Sequence, residues 1–375
     1  MEEQKRNEVI DVLKGLGIIL MVAGHSGFPF TKFIYLFHMA IFFMAAGFCY
    51  KTTNSDSINN FISFFKRKFI ALWLPYIIWT SIFSLLHNVF IKLNIYITNS
   101  SFIDYTIIYG GGLVEAWSWK EIIKNILKSF LLSGGTKVGG ALWFICILIK
   151  VSLLYCFIDL CIKKICNKPI LFQGLVSVIL LTIGYFLHLS GIKFLSLDKV
   201  FSYYYLFYFG YILKQYNVYN YFDKWVYRFC IFLFVFISLI ICNKYGKIEL
   251  ADTEYTNPLF FILTSVLGWH LIYEISYFLS KSKKLSKIII TIGRNTLSVV
   301  ILHFLCFKIV NLIAIKIEET PIFLISCFPV YKKTEAWWLL YCLIGVGIPV
   351  ILSILYKNIK QTIVTRCFQN EQYLL

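Results

Sequence analysis

The chain has 375 residues, of which 59% are hydrophobic and 15% charged, and it carries a formal net charge of +17. Soluble domains are about half apolar and about a quarter charged, so this composition excludes an ordinary soluble fold. Apolar runs of about twenty residues recur along the chain, which is typical of a protein that crosses a lipid bilayer several times. The basic residues lie mainly between these runs, as the positive-inside rule predicts, and we expect no nucleic-acid partner.

Ten apolar segments predict an all-α polytopic helical bundle that forms one domain over residues 1–375. The first segment begins close to Met1 and lacks a small-residue cleavage site, so we expect no cleaved signal peptide. More than half of the basic residues fall on the side of the amino terminus, so both termini are predicted to be cytoplasmic. In chain order the segments cover residues 9–25, 33–50, 69–91, 141–162, 170–190, 198–213, 226–243, 259–279, 288–315 and 336–356.

The first segment contains the sequence DVLKGLGIILMVAGHSG, with charged or ionisable residues inside an apolar helix. Lys14 and His25 are separated by just over three turns, so they share a helix face at an axial distance of about 16 Å. Lys14 then lies near the cytoplasmic surface, within reach of Asp11, and His25 lies well across the bilayer. Ionisable groups at such depth usually face a bundle interior or an aqueous cavity. A snorkelling lysine and a hydrogen-bonded packing histidine remain the alternatives.

The second and third segments add further ionisable residues. The second, FIYLFHMAIFFMAAGF, descends from the outer side, so His38 is predicted to lie at a depth similar to that of His25. The third is preceded by the run KRKFIALWLPY, which places Lys66, Arg67 and Lys68 at its cytoplasmic foot. The long loop that follows, residues 92–140, is predicted to be external.

Within that loop, Ala116–Leu132 (AWSWKEIIKNILKSFLL) has apolar residues at helical spacing beside three lysines. This pattern predicts an amphipathic helix lying flat on the membrane. A helix that covers the active site is the functional alternative.

The eighth and ninth segments also carry polar residues. His270 and Glu274 lie one turn apart on one face, as a structural hydrogen-bonded pair or as a proton relay. The ninth segment, IGRNTLSVVILHF, begins with Arg294 near the cytoplasmic side and holds His303 about halfway across. Together with Lys14 and the third-span cations, Arg294 predicts a basic mouth suited to a phosphate-bearing ligand. The alternative is topology-determining charge that binds anionic lipid.

These motifs, in this order, resemble the acyltransferase-3 family of integral-membrane O-acyltransferases, especially its stand-alone bacterial sugar O-acetylases. The family's basic residue followed after ten residues by His corresponds to Lys14 and His25. The chain departs from the family pattern at Ala40, where Pro is usual, at Ala46, where Ser is usual, and at Ala71, where a second cation is usual. No SGNH-type esterase domain follows the last span, so the stand-alone type is expected. The matching stretches are RNEVIDVLKGLGIILMVAGHS, FHMAIFFMAAGF, the basic run before LPY, ALWF (Ala141–Phe144), YLFYFGYILK (Tyr205–Lys214) and GRNTLSVVILHF (Gly293–Phe304).

The resemblance implies a bacterial cytoplasmic-membrane enzyme with acetyl-CoA as the acyl donor. Its acceptor is expected to be a sugar hydroxyl of a cell-surface polysaccharide or of its lipid-linked precursor. His25 would be the general base, by direct transfer or through an acetyl-His intermediate, and His38 or His303 would stabilise the oxyanion or bind the acceptor. No metal is expected. The coenzyme's phosphates or adenosine end would be held by the cations Lys14, Lys66, Arg67, Lys68 and Arg294.

Two other functions remain open from the sequence. A transporter or flippase for a lipid-linked glycan would also need many helices with buried polar groups, although the spans do not form paired broken repeats. An acyltransferase with another donor, such as succinyl-CoA, would have the same motifs. The sequence is also compatible with a homo-oligomer.

Overall fold

The computed structural model describes residues 7–98, 114–166, 168–221, 224–333 and 336–372. In this part of the chain, α-helices account for most residues and one short antiparallel hairpin is present, which confirms the predicted all-α class. The helices are α1 Glu8–His25, α2 Thr31–Tyr35, α3 Ala40–Phe48, α4 Ile58–Lys68, α5 Leu74–Leu85, α6 His87–Lys92, α7 Trp119–Phe130, α8 Trp143–Ile165, α9 Pro169–Leu189, α10 Leu197–Gln215, α11 Trp225–Tyr245, α12 Pro258–Ser280, α13 Lys283–Gly293, α14 Thr296–Ile317 and α15 Trp337–Gln372.

Eight helical segments in the described ranges are long and apolar enough to cross a membrane. The predicted spans 9–25 and 198–213 are helical too, as α1 and α10, but they are richer in charge and fall outside these eight. Both helices are largely buried among their neighbours, and Asp11 and Asp198 are among their buried residues, so these carboxylates meet protein rather than lipid. The eight segments are Thr31–Phe48, Ile58–Leu85, Gly140–Ile165, Pro169–Leu189, Trp225–Tyr245, Pro258–Ser280, Thr296–Ile317 and Trp337–Thr362.

The third span begins eleven residues earlier than the prediction of 69–91. The helical run starts at Ile58, where the Ser57 side chain accepts the Asn60 N–H, and continues through α5 to Leu85. A π-helical turn, Phe69–Trp73, lies between α4 and α5, and the Leu74 N–H bonds the Phe69 carbonyl. Pro75 follows at once and has no N–H to donate, so the register of the hydrogen bonds shifts there. Lys66, Arg67 and Lys68 therefore lie inside a continuous helical run.

The ninth predicted span, 288–315, is broken into α13 and α14 at Arg294 and Asn295. The Asn295 side chain donates to the Thr291 carbonyl at 2.7 Å and accepts from Lys357 Nζ at 2.6 Å, which fixes the break. Gly293 packs so closely on the Asp11 carbonyl that a Cβ there would lie 2.1 Å from it. This contact brings Arg294 next to α1.

The loop predicted to be external contains the predicted helix as α7, within Ala116–Leu132, and residues 99–113 lie outside the described part. Ser118 and Glu121 form a capping box at its start. Asn125 Nδ2 donates to Ser84 Oγ at 2.8 Å, so α7 packs on α5. The only strands in the described ranges, β1 Ile248–Glu249 and β2 Glu254–Tyr255, form a hairpin between α11 and α12.

Candidate active site

The three histidines predicted from the sequence come together. His25, the last residue of α1, stacks on His303 of α14 with ring centroids 5.6 Å apart and an interplanar angle of 22°. His38 lies in the turn before α3, and its ring stacks on Tyr35 at 4.8 Å. The Tyr35 hydroxyl lies 3.3 Å from His25 Nδ1 and 3.2 Å from the Gly24 carbonyl, so it links the two histidines.

Backbone carbonyls fix the tautomer of two of these rings. His303 Nδ1 lies 2.8 Å from the Val299 carbonyl, and His38 Nδ1 lies 3.1 Å from the Ile34 carbonyl. A carbonyl only accepts hydrogen bonds, so Nδ1 carries the proton in each ring, and Nε2 of the neutral ring is an acceptor. His303 is fully buried, and its Nε2 has no hydrogen-bond partner among the described residues. Such an orphaned buried atom is uncommon and makes His303 a candidate polar partner, although its ring lines neither of the two cavities described below.

A small cavity of about 30 Å³ lies beside these rings. His25 is partly exposed, and His25, Tyr35 and His38 supply much of the polar lining. Glu249, from the hairpin, adds a carboxylate to the same cavity. The other lining residues are Ile18, Met21, Met39, Phe42, Ala141, Trp143, Phe144, Ala251 and Val300.

A second, larger pocket of about 570 Å³ contains four of the five predicted cations: Lys14, Arg67, Lys68 and Arg294. The described residues that line it include no Asp or Glu, so the pocket is strongly positive. Lys66 is exposed and lies outside the pocket. Successive helical residues point about 100° apart, so three adjacent cations cannot all face one pocket.

Hydrogen bonds hold these cations in place. Arg67 Nη2 donates to Asn54 Oδ1 at 2.7 Å, and Lys14 Nζ lies 3.6 Å from Cys49 Sγ. Arg294 Nε lies 3.1 Å from Asp11 Oδ2, so Asp11 pairs with Arg294, not with Lys14 as the sequence suggested. The basic pocket is therefore assembled from three separate parts of the chain.

The pocket and the histidine cavity are neighbours. Phe42, Phe144 and Val300 line both of them, and the two aromatic rings lie 5.5 Å apart. We call these three side chains the partition. A ligand bound at the cations is separated from His25 by this apolar layer.

A protein-family model described as an acyltransferase domain matches residues 7–357. The chain belongs to the acyltransferase 3 family. With eight apolar helical segments in the described ranges, it is a multi-pass membrane acyltransferase, and this assignment replaces the transporter alternative. Comparisons with curated proteins and with solved structures found no match.

In this acyltransferase, apolar side chains pack over the histidine cluster. Phe304 lies 4.0 Å from the His303 ring and 4.6 Å from Phe328, a residue of the loop after α14. Lys308 holds this loop by donating to the carbonyls of Ile325 and Cys327 at 3.0 and 2.7 Å. Lys308 is buried, and these carbonyls supply the polar partners that a buried ammonium needs.

His270 and Glu274 do not form the pair that their spacing suggested. His270 Nδ1 lies 2.7 Å from the Tyr219 hydroxyl, whereas Glu274 forms a buried ion pair with Arg228 at 3.1 Å. Both contacts join α12 to neighbouring segments. They lie outside the lining of the histidine cavity.

Sequence reasoning missed two residues of the site. Tyr35 lies three positions before His38, a spacing that places both on one side of a helical turn, and this signal was available. Glu249 had no such signal, because a two-residue strand in a loop shows no periodicity. Only the fold brings its carboxylate to the histidines.

Proposed function

We propose that this acyltransferase moves an acetyl group from cytoplasmic acetyl-CoA to a sugar hydroxyl of a cell-surface polysaccharide or of its lipid-linked precursor. The supporting observation is the arrangement of a four-cation pocket and a histidine cavity on the two faces of one partition. The proposal includes a bacterial cytoplasmic membrane with both termini inside, as the charge distribution favours.

The donor binds at the basic pocket through its phosphates. Arg67 and Arg294 offer planar, multidentate donors, and Lys14 and Lys68 add point charges. The pantetheine arm passes the partition, and its thioester reaches the cavity beside His25. The axial distance of about 16 Å between Lys14 and His25 is compatible with an extended arm.

His25 acts as the general base. Its ring removes the proton of the acceptor hydroxyl as that oxygen attacks the thioester carbonyl carbon. The carbon–sulfur bond then breaks, and the imidazolium returns the proton to the leaving thiolate, giving the acetyl ester and coenzyme A. Tyr35, at 3.3 Å from His25 Nδ1, orients the ring. An acetyl-His25 intermediate is the alternative route to the same products.

His38 and His303 have a different role in this scheme. Their Nδ1 protons are directed to backbone carbonyls, so their neutral rings present an acceptor at Nε2. This favours binding of the acceptor hydroxyl over stabilisation of an oxyanion, which requires a donor.

The size of the cavity supports acetyl as the transferred group. Its volume is only about 30 Å³. A two-carbon acyl group fits such a space better than the longer, charged succinyl group.

The test uses the full chain purified in detergent, with radiolabelled acetyl-CoA and extracted cell-surface glycan. We expect label transfer by the wild type and its loss in His25→Ala. His188→Ala, a histidine outside the cavity, is the matched control and should retain transfer. Full transfer by His25→Ala would reject the role of His25, and no transfer by any form would reject the proposed reaction.

A further inference from the structure

The hairpin that carries Glu249 is tied firmly to α10. The Tyr203 hydroxyl donates to the Leu250 carbonyl at 2.6 Å, and Thr253 Oγ1 donates to Asp198 Oδ2 at 2.9 Å. Lys199 Nζ also donates to the Ala251 carbonyl. Since Leu250 and Thr253 are buried, the hairpin is a fixed part of the bundle and holds Glu249 in a defined position.

Glu249 faces the cavity with spare hydrogen-bonding capacity. Its Oε1 accepts the Ala251 N–H at 3.3 Å, and the carboxylate has no other hydrogen bond within the described part of the chain. Partial burial raises the pKa of Glu249 above its ordinary value. A partly desolvated carboxylate with a free oxygen has an unmet need for donors.

An aromatic face lies at the same end of the cavity. Trp143 lines the cavity with Glu249 and Ala251, and its ring lies 5.4 Å from Lys199 Nζ. Trp143 is partly exposed and therefore still offers indole surface. A carboxylate beside an indole ring suits a sugar, because hydroxyl groups donate to the carboxylate while the C–H face of the ring packs on the indole.

We propose that Glu249 and Trp143 form the acceptor subsite of this enzyme, with the sugar ring against Trp143 and a hydroxyl next to the reacting one bonded to Glu249. This inference rests on the proposed function and adds the residues that recognise its acceptor. The basic pocket is lined by neither residue, so donor and acceptor approach His25 from different ends.

The experiment measures sugar binding separately from catalysis. Saturation-transfer difference NMR is recorded on the purified full chain with coenzyme A, using the methyl α-glycosides of glucose, galactose, mannose and N-acetylglucosamine as probes. We expect saturation transfer to at least one glycoside from the wild type, and its loss in Glu249→Gln and Trp143→Leu. Asp252→Asn, on the exposed turn of the same hairpin, is the matched control and should bind as the wild type does.

A kinetic arm uses the same variants. Glu249→Gln should raise the KM for the glycan acceptor about tenfold or more and leave the KM for acetyl-CoA unchanged. Equal saturation transfer from wild type and Glu249→Gln, or none from the wild type to any probe, would overturn the subsite. Absence of acetyl transfer in every form, with glycoside binding still dependent on Glu249, would instead reject the proposed reaction and keep the sugar site.

Discussion

The rings of His25 and His303 are stacked 5.6 Å apart, although one residue ends the first helix and the other lies in the middle of α14. Phe304 contacts both rings, at 5.0 and 4.0 Å. The stack holds His25 at the edge of the cavity while His303 stays fully buried. The proposed base and the proposed acceptor-binding ring are thus positioned by one aromatic contact.

We predict that His303→Phe weakens acceptor binding more than donor binding. Phenylalanine preserves the ring stack and the apolar packing but removes the acceptor Nε2. Loss of one hydrogen bond of about 1.4 kcal/mol corresponds to a tenfold increase in acceptor KM. Steady-state kinetics with each substrate varied in turn measures this effect, with His188→Phe as the control. An unchanged acceptor KM would contradict the role given to Nε2.

Arg67 and Lys66 are adjacent in sequence but are predicted to differ in their effect on coenzyme binding. Arg67→Ala should raise the dissociation constant of coenzyme A by about 10- to 100-fold, as expected for a lost charge-assisted hydrogen bond of about 1.5–3 kcal/mol. Lys66→Ala should change it little, because Lys66 lies outside the pocket. Isothermal titration calorimetry on the two variants tests the contrast. Equal losses would mean that general positive charge, rather than the pocket, binds the coenzyme.

The ion pair between Asp11 and Arg294 should stabilise the fold and position the cation. The Asp11 side chain is only 3% exposed, whereas that of Arg294 is 46% exposed, so solvent screens part of the attraction. We expect Arg294→Gln to lower the free energy of unfolding by about 1–2 kcal/mol, less than for a fully buried pair. Thermal unfolding of Asp11→Asn, Arg294→Gln and the double variant gives the coupling energy. Additive single effects would show that the pair contributes nothing.

Much of this arrangement was predictable, because helical periodicity and the cost of buried charge constrain a membrane chain strongly. Lys14 and His25 were expected on one face of α1. In the structure Lys14 lines the basic pocket and His25 lines the histidine cavity. The depth expected for His38, similar to that of His25, agrees with its position in the cluster. The acyltransferase 3 family was also recognised from the order of the motifs and is confirmed.

Other features depend on tertiary contacts that a single sequence does not reveal. The break at Arg294 requires Asn295 to bond Lys357 of α15, a residue far along the chain. The choice of Arg67 and Lys68 over Lys66 depends on how α4 is rotated against α8, the helix on which it packs. Glu249 reaches the cavity only because its hairpin is bound to α10.

The partition formed by Phe42, Phe144 and Val300 should limit the length of the acyl group that the enzyme transfers. We expect Phe144→Leu to widen the passage and raise the activity ratio of propionyl-CoA to acetyl-CoA several-fold, and also to increase acetyl-CoA hydrolysis without acceptor. Phe43→Leu is a matched control, since Phe43 is fully buried and contacts Phe144 at 5.3 Å but lines neither cavity. A thiol-release assay with both donors measures these rates. The same increase in the propionyl-CoA to acetyl-CoA activity ratio in Phe43→Leu would show that loosened packing, and not the width of the passage, causes it.

The two glutamates of the hairpin should affect stability with opposite dependence on pH. Burial raises the pKa of Glu249, whereas the hydrogen bond from Lys247 lowers the pKa of Glu254. The folded state therefore holds the Glu249 proton more tightly than the unfolded state does, and stability falls as pH rises through the pKa values of this group. The ionised Glu254 carboxylate stabilises the fold through Lys247 at pH values above the pKa of Glu254 in the unfolded chain. This contribution is lost as the pH falls through the lower pKa of the folded state.

Glu249→Gln should therefore raise the Tm relative to the wild type at pH 7, and this difference should shrink toward pH 4. Glu254→Gln should lower the Tm slightly at pH 7, and that difference should also shrink in acid, because the ion pair with Lys247 is lost when Glu254 is protonated. Scanning fluorimetry of the three proteins across this range measures both curves. The raised pKa of Glu249 is attributed to desolvation of its carboxylate. If the Tm of Glu249→Gln stays below the wild-type value at pH 7, the carboxylate is satisfied by partners within the fold. It then has no hydrogen-bonding capacity left for an acceptor.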